Sequence, residues 1–158
     1  MLNKAIKLIE AKQYEEAQTI LRSLLDVFPK DAMIHFYYAT TYDSLGLERK
    51  AIPYYEKAID YGLEGELRQR ALIQLGSSYR CTGQYEQAAN VLKKGLKEFP
   101  DNVALQAFLA MALYHMREEK RAVSMLIHAL VAASSDPWIK KYEKALVFYA
   151  DHLDEIWN

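Results

Sequence analysis

The chain has 158 residues, of which 51% are hydrophobic and twelve are Tyr, with six Gly, four Pro and a formal net charge of −1. That length supports a continuous core and that composition excludes a disordered chain. The near-neutral charge supplies no field to draw the protein onto nucleic acid or acidic lipid, so no nucleic-acid partner is expected. A single cysteine, Cys81, excludes an intramolecular disulfide and a cysteine-rich zinc site, and fits a reduced, cytoplasmic setting.

Met1 to Glu10 carries Lys4 and Lys7 in an amphipathic pattern and lacks the uninterrupted apolar core of a signal peptide. No apolar run reaches the roughly 20 residues that span a bilayer, so no direct membrane insertion is expected. The first helix runs from Leu2 to Ala11, with Ala5 and Leu8 on its inner face. Tyr14, Ala17, Leu21 and Leu25 follow at helical spacing, up to Pro29. His35, Tyr38, Ala39 and Tyr42 mark the next helix; Gly46 breaks it, and Ala51, Tyr55 and Ala58 mark another. Pro53 sits just inside that helix, where a proline beyond the first turn costs a backbone hydrogen bond.

The stretch from Gln69 to Asn102 is the most regular. Leu72, Leu75 and Tyr79 share one helix face, and Gly76 lies beside them, where only a small residue lets a partner helix approach closely. Gly83 can take the left-handed conformation that ends the helix. Ala88, Leu92 and Gly95 line the facing helix, Pro100 cannot continue it, and Asp101 or Asn102 can cap the next. Ala17, Ala51 and Ala88 recur at one point of the pattern, and the interval from Ala51 to Ala88 is the longer of the two. The excess falls near Gly65-Glu66-Leu67 and should lengthen a loop or a helix start. In Val103 to Asp136 the pattern recurs as Leu109, Ala110, Leu113, Ala122, Leu126, Ala129 and Leu130. There Arg117 replaces the turn glycine and Ser134 stands where proline is common. Asp136 as N-cap and Pro137 at the first position open a last helix to about Trp157. Its apolar stripe is Ile139, Tyr142, Leu146, Tyr149, Leu153 and Ile156.

With Leu72, Leu75, Gly76, Tyr79, Gly83, Tyr85, Ala88, Leu92, Gly95 and Pro100 on its pattern, this unit resembles a tetratricopeptide repeat (TPR). The whole chain looks like a small, single-domain, bacterial-type TPR protein. The resemblance implies an all-α, right-handed α-solenoid of four TPR-like helical hairpins in one domain. The repeats span about 1–31 (shortened), 32–65, 69–102 and 103–136, closed by a capping helix over 137–157. A terminal helix with a polar outer side covers the open apolar face of the last repeat. The alternative role for that helix is a homodimer surface.

Chemistry is sparse. His35, His115, His128 and His152 form no His-Glu-x-x-His pair, no phosphate-cradling glycine loop occurs, and His35 falls on a core-facing position. Catalytic residues, a metal and a cofactor are therefore not expected. The resemblance implies that the first helices of the repeats line a concave groove. Its positions are Met33, Phe36, Tyr37 and Thr40 in the second repeat and Arg70, Gln74 and Ser77 in the third, with Ile73 beside them. In the fourth they are Ala107, Phe108, Met111 and Tyr114, with His115 at the rim. Chaperone-adaptor TPR proteins carry a lysine–asparagine–arginine carboxylate clamp there; Phe36, Thr40 and Phe108 stand in its place here. Arg70, Gln74 and Ser77 share a helix face that can pair with a carboxylate or peptide backbone, between walls of aromatics. The expected function is a non-catalytic protein-interaction scaffold binding a peptide segment of another protein. The alternatives are a self-associating homodimer module and a secretion-type chaperone for an unfolded segment.

Overall fold

The computed structural model describes residues 1–157, which contain ten α-helices and no strand. They form two compact units, the first Met1–Gln84 and the second beginning at Tyr85. The first holds α1 (Leu2–Glu10), α2 (Tyr14–Val27), α3 (Ala32–Ser44), α4 (Glu48–Asp60) and α5 (Gly65–Cys81). The second holds α6 (Tyr85–Glu98), α7 (Val103–His115), α8 (Glu119–Ala133), α9 (Pro137–Lys141) and α10 (Glu143–Ala150). Among these residues no helix is long and apolar enough to cross a membrane.

Each turn between paired helices is built the same way. At Lys12, Gly46, Gly83 and Arg117 the backbone takes a φ of +60°, +70°, +78° and +63°. The next amide in each case reaches back five residues: Gln13 to Leu8, Leu47 to Tyr42, Gln84 to Tyr79 and Glu118 to Leu113, at 2.8–2.9 Å. This paired closure satisfies carbonyls that the helix end would leave without partners. Arg117 thus does what the turn glycine does, with a Cβ in a conformation that disfavours one. Helix starts are equally local. Asp31 accepts the Ile34 amide at 3.0 Å, Asn102 accepts that of Leu105 at 3.2 Å, and Asp136 accepts those of Trp138 and Ile139.

In the first unit consecutive helices pack in order, and α1 and α5 both also reach α3. Ala17, Ala51 and Ala58 are fully buried, as small residues at helix crossings should be. The extra length after α4 goes into the start of α5, which is 17 residues long against 13 for α3. Arg68, in the first turn of α5, donates to the Ile59 and Leu63 carbonyls at 3.2 and 3.1 Å, tying that start to the end of α4. Pro53 lies in the second turn of α4 on the exposed side, where the helix forgoes one hydrogen bond. His35 is a core residue, 3% exposed, with Nδ1 donating to the Asp31 carbonyl at 2.8 Å and its ring edge-on to Tyr61. Tyr38, Tyr42 and Tyr54 form a ring cluster with Arg22 donating to the Tyr38 hydroxyl. The hydrogen bond with Tyr38 and partial burial push the Tyr42 phenol up to about 12.

In the second unit α6 packs on α7, α7 on α8, and α8 on α10. Here the last helix departs from expectation. Instead of one helix to Trp157, α9 stops after five residues, Tyr142 sits between helices at φ −101° and ψ 13°, and α10 ends at Ala150. The segment after Ala150 turns back toward α8 because its acids find partners there. Asp151 accepts from His128 at 3.0 Å and Asp154 from Lys120 at 2.6 Å. The expected stripe is not a buried face: Tyr142 and Tyr149 are each 52% exposed and Ile156 is 94% exposed, while Ala150 is buried.

Candidate functional site

Helices α1, α3 and α5 converge on a hollow of about 490 Å³ in the first unit. Its lining comes from Ile6, Ile9 and Glu10 of α1, Tyr37, Thr40, Asp43 and Ser44 of α3, and Arg70 and Gln74 of α5. Four of the expected groove residues, Tyr37, Thr40, Arg70 and Gln74, thus meet in one place. That volume lies within the range of small binding pockets. Apolar Ile6 and Ile9 form one side, and hydrogen-bonding groups of both types form the rest.

Phe36 requires a correction. It is fully buried, so it cannot touch a ligand. Its ring packs edge-on to Tyr37 at 5.2 Å and tilted against fully buried Tyr55 at 6.1 Å. The Arg70 guanidinium lies over the Phe36 ring, 5.2 Å from its centroid. Phe36 is therefore the platform on which Arg70 rests, a cation–π contact worth about 0.5–1 kcal/mol where water still has access. Arg70 forms no ion pair among the described residues, and its donors remain available.

The acidic partners behave differently. Burial pushes the Asp43 carboxyl up, and the hydroxyl of Tyr55, which donates to Oδ2 at 3.0 Å, opposes that shift. Burial likewise lifts the Tyr55 phenol far above its usual range, with Asp43 adding to the effect and Arg70 opposing it. The Thr40 hydroxyl donates to the Tyr37 carbonyl at 2.7 Å, so toward the hollow it offers acceptor capacity alone. A guest here would find a cation at Arg70, an amide of both characters at Gln74, and apolar surface from α1.

Met33 is 41% exposed and Ser77 is half-buried, and neither lines the hollow. In the second unit Phe108 is half-buried, Met111 is 37% exposed and Tyr114 is 61% exposed along α7. Beside them His115 stacks parallel to Tyr85 at 4.3 Å and meets Tyr114 edge-on. Sequence reasoning missed Ile6, Ile9, Glu10, Asp43 and Ser44. The signal was available: Asp43 and Ser44 continue the face of Thr40 by one helical turn. Ile6, Ile9 and Glu10 sit one repeat length before Thr40, Asp43 and Ser44.

A profile described as Tetratrico peptide repeat matches residues 32–153, and one described as Tetratricopeptide repeat matches residues 1–31. No curated protein matches the chain. Among solved structures, YrrB, described as a TPR protein with an unusual peptide-binding site, is similar at a TM-score of 0.76 and 16% identity, over 97% of this chain and 77% of that one. MamA matches with a TM-score of 0.76 and 17% identity over 94% and 88% of the two chains. The pilF protein of Pseudomonas aeruginosa matches at 0.70 and 18% over 99% and 76%. At these identities the likeness is one of fold.

Proposed function

The chain belongs to the tetratricopeptide repeat family, a class of protein–protein interaction scaffolds, and from that premise we propose that its hollow holds a peptide segment of a partner protein without catalysis. The observation that carries this reading is Arg70, seated on Phe36 with its donors open, next to Gln74 and opposite Ile6 and Ile9. The segment recognised is one with a carboxylate or carbonyl-rich centre flanked by apolar side chains. Arg70 meets the former, and Tyr37 and the α1 isoleucines meet the latter. The peptide-binding site attributed to YrrB, a protein of the same fold, supports the same use of this architecture.

Selection of a random peptide library on the folded chain, followed by calorimetric titration of the enriched peptides, tests the reading. Enriched sequences should carry Asp, Glu or a free C-terminal carboxylate beside apolar residues. Arg70→Ala should weaken binding about tenfold or more, the size of a charge-assisted hydrogen bond. Added salt should weaken it modestly, since one cation is involved and apolar burial is unscreened. Peptides bound equally well by wild type, Arg70→Ala and Tyr37→Ala would rule the hollow out.

A further inference from the structure

We propose that the guest of the hollow carries charges of both signs, an acidic group on Arg70 and a lysine or arginine held by Glu10 and Asp43. The inference rests on the peptide reading above and fixes the chemistry of the segment that the hollow accepts. Glu10, Asp43 and Arg70 all line the same hollow of about 490 Å³. They bring two carboxylates and one guanidinium into that space, yet none of the three forms an ion pair among the described residues.

Packing holds the two signs apart. The Arg70 guanidinium rests 5.2 Å from the ring centroid of Phe36 on α3. Asp43 stands seven residues further along the same helix, its Oδ2 accepting from the Tyr55 hydroxyl at 3.0 Å. Seven residues of helix rise about 10 Å, well past the reach of an ion pair. Phe36 and Tyr55 are fully buried, so the core fixes both supports. Glu10 belongs to the acidic end, because it stands one repeat length before Ser44, the neighbour of Asp43, and α1 packs on α3. Burial raises the Asp43 carboxyl, the Tyr55 hydroxyl opposes that, and the charge of Glu48 at the start of α4 raises it further. A cation arriving beside Asp43 favours its charged form and offsets that crowding of acids.

Charge complementarity selects the guest. A purely acidic segment would satisfy Arg70 and bring like charge against Glu10 and Asp43, and a purely basic one would be repelled by Arg70. A segment with one group of each sign pairs at both ends, through charge-assisted hydrogen bonds that no side chain of this protein supplies. An extended segment advances about 3.3 Å per residue, so an acid and a base about three residues apart match the roughly 10 Å between the two ends. Thr40 lies between Phe36 and Asp43 on α3, and its open acceptor capacity suits a backbone amide of the bridging stretch.

Selection from a random peptide library on the full chain tests this, with the peptides acetylated so that no terminal amine stands in for a side-chain base. Wild type should enrich an acid together with Lys or Arg, most often about three residues apart. Glu10→Gln with Asp43→Asn should keep the enriched acid and lose the base. Glu10→Gln alone, at an exposed position, serves if the pair of changes disturbs folding. Glu10→Lys should go further and enrich an acid in place of the base, whereas Arg70→Ala should keep the base and lose the acid. In calorimetric titration of the leading wild-type peptide, replacing its base by Ala should weaken binding about tenfold on wild type and hardly at all on Glu10→Gln with Asp43→Asn. Acids enriched alone, lost on Arg70→Ala and indifferent to the changes at Glu10 and Asp43, would overturn this inference and leave the peptide reading standing. Enrichment of no sequence that depends on Arg70 would bring down both.

Discussion

Helices α6 and α8 carry the same repeat positions and end up in different surroundings. In α6 the helix that follows, α7, runs 13 unbroken residues from an Asn102 cap, and Leu92 is 1% exposed. In α8 the helix that follows divides into pieces of five and eight residues, and Leu126 is 45% exposed. The same contrast holds against α4, which packs on both α3 and the unbroken 17-residue α5 and whose Ile52, Tyr55 and Ile59 are all buried. Periodicity marks which face of a helix is apolar; the length and continuity of its neighbour decide whether that face is dry.

The sharpest way to break this comparison is a matched pair of truncations. Leu92→Ala should cost about 2–5 kcal/mol, the range for a buried leucine that leaves a cavity. Leu126→Ala should cost under about 1 kcal/mol when measured at dilution, since roughly half of the transfer term is already absent. Equal losses in chemical denaturation would mean that register alone governs burial. Gly76→Leu comes next. Gly76 is buried in α5 among Leu72 and Leu75, so a branched side chain there should cost about 1–3 kcal/mol or more through overpacking. An unchanged melting midpoint would show that the crossing has room.

The turns give a comparison of smaller size. Lys12 and Arg117 hold a positive φ that Gly46 and Gly83 hold without a Cβ. A Cβ built at Gly46 or Gly83 meets nothing within 4 Å, so Gly→Ala there tests backbone strain alone and should cost about 1 kcal/mol. Lys12→Gly and Arg117→Gly should do the reverse and stabilise by about 0.5–1 kcal/mol, less the added freedom of the unfolded chain. Thermal melts that move the same way for all four would refute the strain argument.

The smallest effect concerns Asp43. Its folded carboxyl is raised by burial, so the folded state holds its proton at a pH where the unfolded chain has released it. The group therefore favours folding most at low pH, and its contribution falls as pH rises from the ordinary aspartate range through the raised value. Asp43→Asn keeps an oxygen for the Tyr55 hydroxyl and removes the buried charge. It should stabilise slightly at neutral pH, with the gain vanishing on acidification. A gain that grows as pH falls would reverse the sign assigned here.

Local chemistry settled the hairpins. The turn glycines Gly46 and Gly83, the caps at Asp31, Asn102 and Asp136, and the small residues at Ala17, Ala51 and Ala88 depend on neighbours within a turn or on the helical period. Each occupies the kind of position in the structure that its residue type favours. Of the positions expected along the first helices, Tyr37, Thr40, Arg70 and Gln74 line the hollow together, because successive first helices repeat the same face at the repeat interval. What required tertiary structure was the fate of side chains with two plausible neighbours. Phe36 turned inward because Tyr55 and Arg70 enclose it, and Asp43 joined the hollow through Tyr55, twelve residues away. The segment after Ala150 folds back on α8 through Asp151 and Asp154, which reach His128 and Lys120, 23 and 34 residues earlier. Spacing along a helix reports which residues share a face, but contacts between distant segments decide what that face meets.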